Sequence, residues 1–339
     1  MIIIVGLYIC LLLFMMKFNT NQEMEFEETK SISVLIPYRN EEEGLSALIQ
    51  ELEKQWQPAY GEIIFIDDHS TDGSRQIVLA SSLSNMSLLS LNEGEGKKAA
   101  LKYALAKVKF NHVAQVDADT IVSPDYFEKL LVKRADYTTG LIRYTSERSL
   151  INLYQRWENL AMMFTTRLAI QLKIPLMSNG ANSNYKTKHV DYNDKYASGD
   201  DLFNMYSIFE AGGTIAFNDQ TWVETKCAPD FKSFFNQRMR WMKKSGGLSD
   251  FKFRLLSVLL LISQLSPFYI FFDQSYEFIF LVVVKLLLEL IGMMSINRKL
   301  KYKGLFPFYF VMVLLYPIAI ILLLLISFFS SVSWKGRRL

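Results

Sequence analysis

The chain has 339 residues, half of them hydrophobic, with 37 basic and 34 acidic side chains and a net charge of +3. That length suits one large domain or two smaller ones, and the near balance of charge offers no broad field for nucleic acid. Two cysteines in unlike contexts and three histidines exclude a disulfide framework or a Cys/His metal cluster and fit a reducing compartment.

The apolar residues are concentrated at the two ends. Ile2 to Met16 is an uninterrupted apolar run, short for a membrane crossing, which takes about 20 residues. It lacks the basic start and small-residue cleavage site of a secretory signal. We therefore expect an N-terminal transmembrane anchor over residues 1–18. Lys17 directly after it favours a cytoplasmic domain next.

From Ser31 the pattern alternates strand with helix. "SISVLIPY", "EIIFIDD", "MSLLSL" and "HVAQVDAD" are short apolar runs, each followed by a segment with helical spacing. Such alternation predicts an α/β domain, taken over residues 31–250, with a parallel sheet covered on both faces. Ligands of such sheets bind beyond the carboxyl ends of the strands. There the first strand ends in Pro37-Tyr38-Arg39-Asn40-Glu41, the second in Asp67-Asp68-His69-Ser70 and the fourth in Asp117-Ala118-Asp119. Adjacent carboxylates raise each other's pKa unless a positive charge stands between them. A divalent cation meets that need with oxygen ligands, one or two carboxylates and substrate phosphates. Asp72, within "STDGS", reads as a turn or cap residue.

Further along, "SNGANSNY" (Ser178 to Tyr185) reads as a polar turn, and "SGDD" opens a helix at Asp200 and Asp201, with Ser198 or Asp200 as its cap. Gln237, Arg240 and Trp241 stand at i, i+3 and i+4, on one helical face. Trp and Arg also favour a membrane boundary. Over residues 255–330 we expect C-terminal transmembrane helices, at about Leu255–Phe272, Phe278–Met294 and Leu305–Phe329. Lys285 and Glu289 are spaced to pair on one helical face. The basic loop Asn297 to Lys303 is expected on the cytoplasmic side. A third simple span, which contains Pro307 and Pro317, conflicts with that rule, because it carries Trp334–Arg338 to the opposite side.

"SVLIPYRNEE", "IIFIDDHSTDGS", "VDAD", "SGDDLF" and "QRMRW", in this order, resemble the membrane-bound family-2 glycosyltransferases. The resemblance covers about Ser31 to Gly247 and the membrane segments. It implies a GT-A, Rossmann-like nucleotide-sugar fold and an inverting, metal-dependent transfer from a nucleotide-diphospho-sugar, UDP-linked, to a lipid or lipid-linked acceptor. The transferred group is implied to be a hexosyl or N-acetylhexosaminyl unit. It places Pro37, Arg39, Glu41, Asp67, Asp68, Lys97 and Asp117 at the donor, and Mg2+ or Mn2+ on Asp117 and Asp119. The segment from Ser178 to Tyr185 is implied to line the donor sugar. Asp201 matches the general-base position, with Asp200 where many relatives carry Glu. Arg240 is implied to neutralise the leaving diphosphate and Trp241 to wall the acceptor site, with Gln237 beside them. The implied location is the cell membrane, multi-pass, with the catalytic domain cytoplasmic. A processive polysaccharide synthase, a nucleotidyl- or phosphotransferase using the same carboxylates, and a non-catalytic scaffold are the alternatives.

Overall fold

The computed structural model describes residues 1–17, 31–132, 135–147, 149–192, 200–245, 250–327, 333–334 and 337–338. The chain opens with α1 (Ile2–Lys17). Strands and helices then alternate: β1 (Ile32–Tyr38), α2 (Glu42–Gln55), β2 (Gly61–Asp67), α3 (Ser74–Leu79), β3 (Met86–Ser90) and α4 (Lys97–Leu105). Next come β4 (His112–Val116), β5 (Ile121–Val122), α5 (Tyr126–Val132), β6 (Tyr137–Tyr144), α6 (Leu150–Gln171), β7 (Asn182–Lys186), α7 (Asp200–Glu210) and β8 (Ile215–Thr225). The remainder is helical apart from a short terminal pair: α8 (Phe231–Ser245), α9 (Phe251–Gln264), α10 (Ser266–Tyr269), α11 (Tyr276–Leu300), α12 (Tyr309–Ser327), β9 (Ser333–Trp334) and β10 (Arg337–Arg338). These elements fall into two compact units. One holds β1–β8 with α2–α5 and α7; the other holds α1, α6 and everything from α8 onward.

In the first unit the strands form one sheet in the order β3-β2-β1-β4-β7-β6-β8-β5. Every residue of β1 and β2 is buried, as continuous apolar strands covered on both faces should be. The parallel arrangement expected from the alternation holds from β3 to β4. Beyond β4 it is corrected: β7 runs antiparallel to both β4 and β6, so the sheet is mixed. β7 comes out of the "SNGANSNY" segment, read from its polar residues as a turn. Its buried polar groups are satisfied sideways: Asn182 donates to the Leu141 carbonyl at 2.9 Å and accepts from the Tyr126 hydroxyl at 2.9 Å. Polar ladders of this kind carry no apolar period, which is why the strand was not legible.

Helix α2 buries Leu45, Leu48, Ile49 and Leu52, the i, i+3, i+4, i+7 stripe of an amphipathic helix. At Gly44 a Cβ would stand 2.9 Å from both the Ala118 carbonyl oxygen and the Asp119 Cα. The missing side chain lets α2 press against the loop that carries Asp117 and Asp119.

In the second unit two helical stretches are long and apolar enough to cross a membrane, Tyr276–Leu300 and Phe306–Ile326. Helix α1, with 16 residues, is shorter. The span expected over Leu255–Phe272 is divided between two helices. Helix α9 stops at Gln264 after 14 residues, and α10 follows with Pro267 in its first turn. Fourteen residues rise about 21 Å, less than the ~30 Å hydrocarbon core. Lys285 and Glu289 pair at 3.2 Å as their spacing predicted, both buried, and Gln264 donates to Glu289 at 2.8 Å.

The direction of α12 follows from three contacts along its length. At its start the Tyr309 hydroxyl donates to the Leu286 carbonyl, midway along α11, at 2.8 Å. Further on the Tyr316 ring meets Trp157 of α6 at 5.3 Å, and Leu323 packs with Met239 of α8. Trp157 lies two residues from Asn159, which donates to the Tyr302 hydroxyl at 3.1 Å. Tyr302 and Asn297, at the end of α11, exchange hydrogen bonds of 2.9 and 3.0 Å. Helix α12 therefore starts beside the middle of α11 and advances toward its C-terminal end, running the same way. Residues 301–308 make the return, turning at Lys301 (φ 56°) and Gly304 (φ 72°).

Candidate active site

Three loops at the carboxyl edge of the parallel strands build the first group. Pro37 is buried within β1, opposite Ile66. Past the end of β1, Arg39 lies 3.8 Å from Asp68 and 3.6 Å from Glu95. Asp68 also accepts from the Gly96 amide at 2.8 Å and meets His69 Nδ1 at 3.1 Å. Asp67 accepts from the Ser70 amide at 2.9 Å and lies 3.7 Å from Arg75. The Glu41 amide donates to Ser74 Oγ at 2.9 Å. Asp72 has the capping role its context predicted, accepting from the Ser74 amide at 3.1 Å and the Glu42 amide at 3.2 Å. Buried Asp67 and Asp68 thus hold the loop ends together and carry the Arg39 guanidinium beside them.

Gly96, at φ 94°, delivers the chain into α4, whose first residue is Lys97. Its ammonium donates to Asp117 Oδ1 at 2.5 Å and lies 3.4 Å from Asp200 Oδ2. Burial alone would lower the Lys97 pKa, but Asp117 first and Asp200 next hold it above the ordinary lysine value. A positive charge between carboxylates is thus supplied by the chain itself. Asp119 keeps an excess of negative charge around it. Burial, then Asp117 and Glu41, push its carboxyl up to about 6, with Lys97 opposing.

Asp200 and Asp201 open α7 and are held differently. Asp200 accepts from Gln115 Nε2 at 3.0 Å, and the same amide donates to the Gly180 carbonyl at 2.7 Å. Its partners are tertiary. Ser198, the other candidate cap, lies outside the described residues. Asp201 is buried and accepts from the Gly180 amide at 3.2 Å and from the Leu202 amide at 2.8 Å. At Gly180 a Cβ would lie 3.2 Å from Asp201 Cβ and 3.4 Å from Lys97 Nζ. Behind this group the Tyr137 hydroxyl donates to the Asp201 carbonyl at 3.2 Å and pairs with Ser178 Oγ at 2.7 Å. Gln115 and Tyr137 were not anticipated, and Gly180 only as part of the Ser178–Tyr185 segment. For Gln115 a signal existed: it is the polar residue inside the apolar strand "HVAQV".

One group therefore contains Lys97, Asp117, Asp119, Asp200 and Asp201, linked through Gly96 to Asp68 and Arg39. Gln237, Arg240 and Trp241 lie in the other unit, on α8, Arg240 and Trp241 both half-buried. Between them stands a residue that motif reading passed over. Arg238 is buried and paired with Glu158 of α6.

Among the described residues no group of three or more His, Cys, Asp and Glu side chains gathers to hold a metal ion. A nucleotide-bound divalent cation needs fewer, one or two carboxylates completed by phosphates and water. Asp117 and Asp119 meet that requirement. Burial first, and then the negative charge of Asp117 and Glu41, raise the Asp119 pKa, and a dication relieves that charge.

Residues 33–191 match the family model described as Glycosyl transferase family 2. The match takes in β1 to β7 and covers a little under half of the chain. Curated relatives include the undecaprenyl-phosphate 4-deoxy-4-formamido-L-arabinose transferase of Salmonella choleraesuis, 30% identical over 133 residues, covering 36% of this chain and 39% of the relative. The enzyme of the same name from Photorhabdus laumondii is 32% identical over 142 residues, covering 37% of this chain and 43% of the relative. The chain thus spans about two-fifths of the length of the curated relatives it matches. A solved structure similar in shape is S. aureus TarS with UDP-GlcNAc, at a TM-score of 0.48 and 16% identity, covering 79% of this chain and 83% of that one. The mannosyltransferase PcManGT from Pyrobaculum calidifontis, with GDP-Man and Mn2+, has a TM-score of 0.49 and 13% identity, covering 94% of this chain and 98% of that one. Both likenesses are distant.

Proposed function

We propose that the protein is an inverting glycosyltransferase of GT-A type that moves one sugar from a nucleotide-diphospho-sugar, UDP-linked, to a lipid or lipid-linked acceptor at a membrane. The observation that carries this reading is the group around Lys97, where Asp117 and Asp200 from separate elements meet one ammonium inside a family-2 domain. The lipid acceptor is supported by the undecaprenyl-phosphate transferases among the relatives and by two helices apolar enough to cross a membrane.

In the reaction the acceptor oxygen forms a bond to the anomeric carbon as the bond from that carbon to the diphosphate oxygen breaks. The acceptor proton goes to a carboxylate. Asp201 suits that role, because the amides of Gly180 and Leu202 orient its two oxygens. A positioned base contributes about 100- to 10,000-fold in rate. Asp200 is committed to Lys97 and Gln115 and serves to hold the cluster. Arg39 and Lys97 are the cations on the donor side. Asp117 and Asp119 would hold a divalent ion, which when bound supplies positive charge to the diphosphate. Charge placed in advance on a leaving group stabilises it without reorganisation at the moment of reaction. Gln237, Arg240 and Trp241 are read as the substrate face of α8.

Membranes containing the full chain, incubated with a panel of radiolabelled nucleotide sugars, test the reading. Label from one donor should enter the lipid extract. Phosphoryl or nucleotidyl label entering the lipid instead, with no sugar transferred from any donor, would overturn it.

A further inference from the structure

Arg238 is 4% exposed and its partner Glu158 is 5% exposed. Arg238 Nε donates to Glu158 Oε2 at 2.9 Å, and a terminal nitrogen of the same guanidinium donates to that oxygen too. Desolvation offsets much of the attraction within a buried ion pair, so such a pair is a poor device for stability alone. The other terminal nitrogen donates to Gln237 Oε1. The guanidinium also lies 4.5 Å from the centre of the Phe234 ring and 4.3 Å from that of Trp241. One buried cation therefore holds an acid on α6, the amide of Gln237 and the ring of Trp241.

We propose that Arg238 is a positioning residue that sets the two motif side chains Gln237 and Trp241. This rests on the reading of that motif as a substrate face. A guanidinium has donors and no acceptor, so the Gln237 carbonyl oxygen faces it and the Gln237 NH2 faces away. Gln237 consequently meets its ligand as a hydrogen-bond donor. The matching chemistry is an electron-rich oxygen, of a diphosphate or a sugar hydroxyl. Trp241 is held with one ring face against the cation, and the opposite face is the one assigned to an apolar sugar surface. Lysine cannot replace this arrangement, because its compact ammonium lacks the planar fork that bonds two partners while stacking on a ring.

The test uses the purified full chain with the Arg238→Lys, Gln237→Glu and combined variants, following thermal unfolding, KM and kcat. Gln237→Glu keeps an oxygen for Arg238 and removes the donor. Misplacing a substrate-positioning group by about 1 Å costs about 100-fold. Each single variant should lose transfer by about that factor, mainly in kcat, while unfolding near the wild-type temperature. The combined variant should be no worse than either, because residues acting as one unit are non-additive. Full activity of Arg238→Lys, or losses that multiply in the combined variant, would overturn the proposal. A second readout does not need transfer: the Trp241 emission, taken as the difference between each chain and its Trp241→Phe counterpart. It should change when Arg238 becomes Lys or Met, and an unchanged emission also overturns the proposal. A wild-type chain that transfers no sugar at all strikes the functional reading, while the emission experiment still judges Arg238.

Discussion

Lys97 reaches Asp117 at 2.5 Å and Asp200 at 3.4 Å, so each carboxylate of the group has a distinct circumstance. Asp117 and Asp119 differ in that Lys97 bonds the first, while burial and like charge act on the second. Replacing either by Asn should abolish transfer and weaken metal-dependent nucleotide binding, measured by titrating Mn2+ with and without nucleotide. Full activity of both variants in the presence of a chelator would sink the metal reading. Asp201→Asn should lower turnover by about 100- to 10,000-fold, the range for loss of a general base, with donor affinity nearly intact. Loss of donor affinity at unchanged turnover would move Asp201 to a binding role. The D-x-D and "GDD" residues were legible because each follows or opens a regular element. Gly180 was singled out only as part of its segment, because its contact with Asp201 depends on bringing residue 180 within reach.

At the scale of elements, two close approaches decide how the site and the helical unit are built. Gly44 lets α2 sit against the Asp117–Asp119 loop, with backbone atoms 2.9 Å from where a Cβ would stand. Gly44→Ala should therefore force a shift costing about 1–3 kcal/mol, as overpacking does, read as a lower melting temperature and reduced transfer. An alanine variant with wild-type melting and activity would show that the loop yields freely. Helix α12 runs with α11 in place of returning past it, which bears on sidedness. Were α11 to cross a membrane, this course would put the end of α12 on the same side as the basic loop from Asn297 to Lys303 and remove the conflict that a third span creates for Trp334–Arg338. Single cysteines at Lys303, Ser327 and Asp273, in a chain with Cys10 and Cys227 replaced, can be labelled with an impermeant reagent in oriented vesicles. Lys303 and Ser327 should label from one side and Asp273 from the other. Opposite sidedness of Lys303 and Ser327 would contradict the re-entrant course of α12.

For the molecule as a whole, the question is whether one sugar is added or many. A synthase that exports its chain lines a polar tunnel through the bilayer, and polar groups at that depth must be buried in protein or face such a cavity. In the helical unit three polar pairs are engaged with each other: Lys285 with Glu289, Glu289 with Gln264, Arg238 with Glu158. Two helical stretches reach membrane-crossing length among the described residues, few for a tunnel. Mass spectrometry of the product should show a single added sugar. A ladder of increasing lengths would assign the protein to the processive class.

The sequence by itself determined the parallel half of the sheet, β3-β2-β1-β4, the placement of Asp67 at a strand end and of Asp68, Asp117 and Asp119 past strand ends, and the Lys285–Glu289 pair. All of these rest on local period or on i, i+4 spacing, which one segment carries alone. Tertiary structure alone decided the rest. The antiparallel β7 is polar, and its Asn182 is satisfied by Tyr126 and Leu141, 56 and 41 residues away. The cation between Asp117 and Asp200 is a lysine 20 residues before the first of them. Arg238 owes its meaning to Glu158, 80 residues earlier. The direction of α12 depends on what Tyr309, Tyr316 and Leu323 touch. Period and composition report which face of an element is buried; they are silent about which distant side chain will satisfy a buried charge, because that partner is chosen by packing.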